Sequence, residues 1–448
     1  MKRLACSALL FFILAATGVV CAAEEGMPVT GMETEQAVVA PVLDTGDTAW
    51  MIVATALVML MSIPGLALFY GGLAKRKDTL NTMAMTFVTF CIVSALWVLY
   101  GYTFAFGADI RGVIGNAEKL LLSGVTVDSL SGTIPEYIFI VFQLTFAAIT
   151  VALASGAYIE RIKFSAWILF TILWMTFVYL PVAHWVWGGG FLAELGALDF
   201  AGGTVVHINA GIAALVGTII LRRRRDVSLI PNNLTLVVIG AGLLWFGWFG
   251  FNAGSALASN GLAGVAFINT NTATAFAALS WMFTEWIHAK KPTILGLASG
   301  AVAGLVTITP AAGYVNIGGA IVMGILAGIV PYLAVAFMKP ALKYDDALDA
   351  FGIHGLAGTM GAILTGVFAD PSVNEAGKGL LYGNPGQLLT QLIAVAVTIV
   401  YSAALTFIIF MVIKVLVGLR VDGEEEMTGL DESEHGEKAY NFLTQEGA

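Results

Sequence analysis

Apolar stretches long enough to cross about 30 Å of hydrocarbon as helices recur along this chain, and they constrain its fold more than any other feature. They fall at 49–70, 81–105, 135–158, 164–184, 204–221, 234–254, 262–287, 293–309, 318–338, 351–369 and 387–417. Backbone polar groups survive in lipid only inside helices or closed barrels, and stretches of this length fit helices. The reading is an all-α membrane protein with eleven transmembrane helices. Composition agrees: 58% of residues are hydrophobic and 11% charged, against about 25% charged in soluble domains. The net charge of -9, with basic residues in short clusters between spans, leaves no broad face for nucleic acid.

Those clusters orient the chain. Lys75-Arg76-Lys77, Arg161 and Lys163, Arg222 to Arg225, Lys290 and Lys291, and Lys339 and Lys343 fall in alternate connections, while the other connections hold only Arg111, Lys119 and Lys378. Cytoplasmic loops carry the Lys and Arg excess, so the N-terminus is expected outside and the C-terminus inside an inner (plasma) membrane. Residues 1–23 begin with Lys2 and Arg3, continue through an apolar run and end in Val20-Cys21-Ala22-Ala23, the pattern of a cleaved signal peptide. The mature chain then keeps Cys91 alone and has no disulfide framework. The transmembrane domain is assigned to 24–420 and a polar, acidic tail, flexible until something binds it, to 421–448.

Ten spans divide into two groups of five, and an odd number inverts the second group in the membrane, as transporter repeats often do. The first span of each half ends in an aromatic and small-residue cluster, Phe69-Tyr70-Gly71-Gly72 and Phe251-Asn252-Ala253-Gly254-Ser255. The fifth span of each half carries a histidine, His207 and His354. Each is followed at i+4 by Gly211 or Gly358 and at i+7 by Ala214 or Gly361, so each imidazole shares a helix face with small residues. Such faces let backbones approach closely in lipid, and the two rings are expected to meet at the axis between the halves.

Ionisable residues within spans are costly and mark pathways. Two facing imidazoles share one N–H···N bond and keep a nitrogen each for a passing solute, which suits a small neutral base. Packing glue and haem ligation are the competing readings of such a pair; close glycine faces leave little room for a macrocycle. A potassium filter needs a ring of oxygens that no segment here supplies. Asp199, just before the fifth span, reads first as a helix cap and second as a negative group favouring a cation nearby. Phe146, Trp187, Trp248 and Phe251 are candidates for a cation–π cup with rings below it, each contact worth about 0.5–2 kcal/mol.

The runs Phe69-Tyr70-Gly71-Gly72, Trp187-Gly188-Gly189-Gly190, Asp199 to Asn209, Trp248 to Ser255, Phe351-Gly352-Ile353-His354-Gly355 and Asp431 to Tyr440 resemble the Amt/MEP/Rh ammonium transporter superfamily, in its bacterial AmtB-like branch, over essentially the whole mature chain. The resemblance implies a homotrimer with one pore per subunit and an inverted five-plus-five repeat plus a last helix. It implies an outer ammonium site at Phe146, Trp187 and Ser255 supported by Asp199, a gate and pore of Phe142, Phe146, Phe251 and Trp248, and His207 and His354 as twin histidines. Ammonium and methylammonium are the implied solutes, and a PII-type signal protein the implied cytoplasmic partner of the tail. No cofactor, no metal and no enzymatic activity are expected. The alternatives are an ammonium sensor signalling through the tail and an Rh-like channel for ammonia or carbon dioxide.

Overall fold

The structure, a computed structural model, describes residues 42–440 apart from Leu229; the expected signal peptide lies outside the described residues. The fold is all-α, with ten helices among the described residues long and apolar enough to cross a membrane. In chain order the helices are α1 (Thr45–Leu73), α2 (Arg76–Phe106), α3 (Glu136–Ser155), α4 (Phe164–Glu194), α5 (Gly203–Leu221), α6 (Leu234–Gly254), α7 (Gly261–Ala289), the shorter α8 (Ile294–Ile308), α9 (Ile317–Leu342), α10 (Phe351–Phe368) and α11 (Pro385–Leu416). Short polar residues start several of them: Asp44, Asn233, Asn260, Thr293 and Asn316 each accept a first-turn N–H, satisfying donors that the helix itself leaves free.

Large apolar side chains such as Phe87, Phe246, Phe283, Val400 and Phe407 point outward and exposed, the arrangement a lipid solvent permits. α3 and α5 are the most enclosed spans. Several helices contain a stretch of wider i→i+5 turns, among them Gly203–Ile208 and Phe351–Leu356. Such turns often mark functional sites, and His207 and His354 sit in them.

The two ends of the bundle differ. At one end, two small hairpins, Asp109–Ile110 with Ile114–Gly115 and Leu130–Ser131 with Ile134–Pro135, join α2 to α3. The opposite end holds a buried charge network. Arg224 binds both oxygens of Asp345 (Nε to Oδ2 3.0 Å, Nη2 to Oδ1 2.8 Å) and Glu160 (2.9 Å). Burial pushes the Asp345 carboxyl up, but the bonds and charge of Arg224 outweigh it and hold the group at about 2.

The tail departs from the expectation that it stays flexible until bound. Through Tyr440 it forms two short helices, α12 (Gly423–Thr428) and α13 (Leu430–His435), docked on this basic end. The docking is reciprocal. Asp78 accepts the N–H of Leu430 at the start of α13 (2.8 Å), and Asp431 accepts the N–H of Asn81 in the first turns of α2 (2.8 Å). Lys77 donates to the carbonyls of Glu426 and Met427, and Arg420 binds Glu426. Acidic composition suggested solvation; the carboxylates instead find free N–H groups at helix starts, where anions are favoured.

Candidate functional site

His207 and His354 are each placed by the residues before them. Asp199 stands eight residues ahead of His207. Its Oδ1 accepts from the N–H groups of Gly202 (2.8 Å) and Gly203 (2.5 Å), and its Oδ2 from those of Thr204 (2.8 Å) and Val205 (3.1 Å) and from the Thr204 hydroxyl. Burial pushes this carboxyl's pKa up, and those donors oppose the push. The cap reading of Asp199 therefore holds, and it leaves the carboxylate pointing into the helix start. A second such cap went unnoticed in the sequence: Asp346, eight residues ahead of His354, accepts the N–H groups of Ala350 (3.0 Å) and Phe351 (2.7 Å).

The small-residue faces then let α5 and α10 cross. A Cβ on Gly358 would lie 2.8 Å from the His207 Cβ, and one on Gly211 would meet the backbone of Gly355. The two rings lie nearly parallel, 16° apart with centroids 5.4 Å apart, and their Nδ1 atoms are 3.3 Å apart, so one donates to the other. Both are buried, and His207 Nε2 has no partner among the described residues.

A file of rings leads away from this pair. His207 is stacked on Trp248 at 5.4 Å and 19° and lies 6.1 Å from Phe251. Phe251 is stacked on Phe146 at 4.1 Å and 26°, and Phe146 meets Trp187 edge to face at 5.7 Å. Phe142 packs beside Phe146 at 4.9 Å and against Gly254. The file ends in a recess of about 280 Å³ at the hairpin end, lined by Phe106, Gln143, Phe146, Trp187, Phe200 and Ser255 among others.

The polar groups of this recess are few. Trp187 donates from Nε1 to the carbonyl of Asp199 (2.9 Å), which fixes its ring. Ser255 donates to the carbonyl of Phe251 (2.8 Å), leaving its oxygen lone pairs available. Three participants escaped sequence reasoning: Gln143, whose buried Oε1 has no partner among the described residues; Phe106; and Thr309, which accepts from Trp248 Nε1 at 2.8 Å. A lone Gln in an apolar run was the one available signal. The described residues contain no cluster of three or more His, Cys, Asp or Glu suited to a metal ion.

Comparison with known proteins matches residues 49–440 to the sequence model of the Ammonium Transporter Family. An ammonium transporter of Aquifex aeolicus is 62% identical over 404 residues, covering 89% of this chain and 94% of that one, and one of Bacillus subtilis is 51% identical over 89% and 99%. Among solved structures, Candida albicans Mep2 aligns with a TM-score of 0.80 at 36% identity, covering 86% of this chain and 88% of that one. A protein described as a sensor Amt protein aligns with a TM-score of 0.81 at 31% identity, over 87% and 98%.

Proposed function

Because this chain belongs to the ammonium transporter family, a family of transporters and not of enzymes, we propose that it takes ammonium from the recess at the hairpin end and passes it as ammonia along the histidines. The observation that carries this is the unbroken file Trp187, Phe146, Phe251, His207, His354, which links recess to histidine pair. In the recess, the faces of Phe146 and Trp187 offer cation–π attraction and the oxygens of Ser255 and Gln143 offer acceptors to N–H groups. Carrying a bare cation past the stacked phenyl rings would cost tens of kcal/mol in an idealised apolar medium, against about 2 kcal/mol from each cation–π contact at best. The cation therefore loses its proton near Phe146 and Phe251, and neutral ammonia exchanges hydrogen bonds with the imidazoles. Asp199 organises this mouth through Trp187 and the start of α5, and contributes negative potential.

On this reading eleven spans cross an inner membrane, the hairpin end and N-terminus outside and the tail inside, with α6–α10 repeating α1–α5 inverted. Three subunits associate, each with its own pore, and the docked tail is the surface for a PII-type regulator. The test is ammonium-evoked current and methylammonium uptake in proteoliposomes. Wild type should conduct both, and His207→Ala/His354→Ala should abolish current or lose selectivity against other monovalent cations. Wild-type vesicles that admit neither solute would overturn the proposal, and ammonia-driven pH change without current would assign passive ammonia conduction.

Sensing relayed through the tail is a second reading, favoured by the reciprocal caps that join the tail to α2. A pore-blocked protein that still signals would establish it.

A further inference from the structure

His184 lies outside the file of rings, in α4, three residues before Trp187, and is fully buried. Its Nδ1 is 2.9 Å from the carbonyl oxygen of Ala105 and its Nε2 is 2.8 Å from Oδ1 of Asp109. A carbonyl oxygen carries no hydrogen. The Asp109 side chain is one-third exposed, and its bond to His184, with the Gly112 N–H, holds its carboxyl below the usual range. Both ring nitrogens therefore face acceptors. A neutral imidazole has one N–H and one lone pair, and would set that lone pair against an oxygen.

We infer that His184 is a buried imidazolium, paired with Asp109, and is the positioning residue that holds the two aromatic walls of the recess together. The geometry of both walls passes through it. Ala105 precedes Phe106, the α2 contribution to the recess. On the α4 side, Gly188 and Gly190 donate to the His184 carbonyl at 2.9 and 3.0 Å, closing the turn directly after Trp187. The hairpin that carries Asp109 is fastened to the same turn by Trp185 Nε1 on the Val113 carbonyl (2.8 Å) and the Phe191 N–H on the Gly112 carbonyl (3.0 Å). Loss of one ring proton would break either the α2 tie or the hairpin tie.

Elements packed against this helix also carry Tyr102, Tyr179, Glu194 and His207, and the hairpin carries Arg111; of the charged groups, Asp109 alone is bonded to the ring. The proton sits on the ring and not on the carboxyl because the carboxylate, one-third exposed, is open to hydration while the ring is enclosed between two acceptors. The role in transport rests on the reading of the recess as the ammonium site.

The experiment is nitrogen-15 NMR of the full protein in membranes, labelled at histidine and tryptophan. The chain has five histidines, and His184→Asn assigns the signal. At pH 7.5 both His184 nitrogens should appear proton-bearing; one unprotonated His184 nitrogen at that pH overturns the inference. The Trp187 indole signal should move in His184→Gln and in the milder Asp109→Asn. An unmoved indole in both removes the positioning role even if the ring is charged. Methylammonium uptake is read in parallel: His184→Gln should raise half-saturation at least fivefold with the maximal rate within about twofold. If Trp187→Ala leaves half-saturation unchanged while the NMR outcomes hold, the recess reading fails and the assignment of His184 stands.

Discussion

The two histidine segments are built alike and surrounded differently. In each, an aspartate eight residues upstream caps the helix start, a residue five upstream has positive φ, and the imidazole follows in a wide turn. Ahead of His207 the cap satisfies four backbone N–H groups and a hydroxyl, and the positive φ of +116° falls on Gly202. Ahead of His354 the cap satisfies two N–H groups, and the positive φ of 58° falls on Asp349, whose carboxylate binds Lys339 at 2.6 Å. The first segment is held by one saturated carboxylate under the recess; the second is held by charges at the basic end. One rigid anchor and one titratable anchor serve a single pair of rings.

Removing the anchors should separate them most. Asp199→Ala leaves buried donors without acceptors, at about 1–3 kcal/mol for each one left unpaired, so it should cost several kcal/mol and abolish uptake. Asp346→Ala removes a two-bond cap and should cost about 1–2 kcal/mol. Equal losses of thermal stability in detergent would break the distinction between the segments.

The positive-φ residues give the next contrast. Gly202→Ala should destabilise by about 1–2 kcal/mol from backbone strain alone, and more because its Cβ would lie 2.5 Å from Val206 Cγ2 and 3.3 Å from the Trp187 ring. Asp349→Gly relieves a comparable strain and loses an ion pair worth about 0–1 kcal/mol. Its melting temperature should stay within a few degrees of wild type, and a large drop would show that the ion pair dominates.

The smallest effect is pH dependence. Burial raises the Asp346 carboxyl to about 6, Lys339 opposing the shift and Asp349 adding to it. A carboxyl raised above its unfolded value of about 3.9 contributes stability that is complete below that value and lost as pH rises through about 6. Acidifying from pH 7.5 to 5.5 should therefore stabilise wild type relative to Asp346→Asn by about 1 kcal/mol. The reverse sign would mean that the Lys339 charge outweighs burial.

Much of this was legible in the chain. Span positions follow from hydropathy, and the cap at Asp199 and the small-residue faces of His207 and His354 follow from local spacing. Asp346 escaped notice although it repeats the Asp199 spacing, because it stands among other acidic and basic residues and reads as a loop charge. Thr309 and His184 were invisible for another reason: their roles depend on Trp248 and Asp109, partners brought close only by helix packing. The tail misled because its composition describes solvation, whereas its place is decided by two backbone N–H groups more than three hundred residues apart in sequence.

That exchange of caps has a consequence for anyone labelling the protein. Residues 430–435 insulate the end of a membrane helix, so a fluorophore or fusion spliced into them would report on a frayed α2 as much as on the tail itself. A handle attached after Tyr440 leaves both caps in place, and it is the position from which tail movement can be watched without causing it.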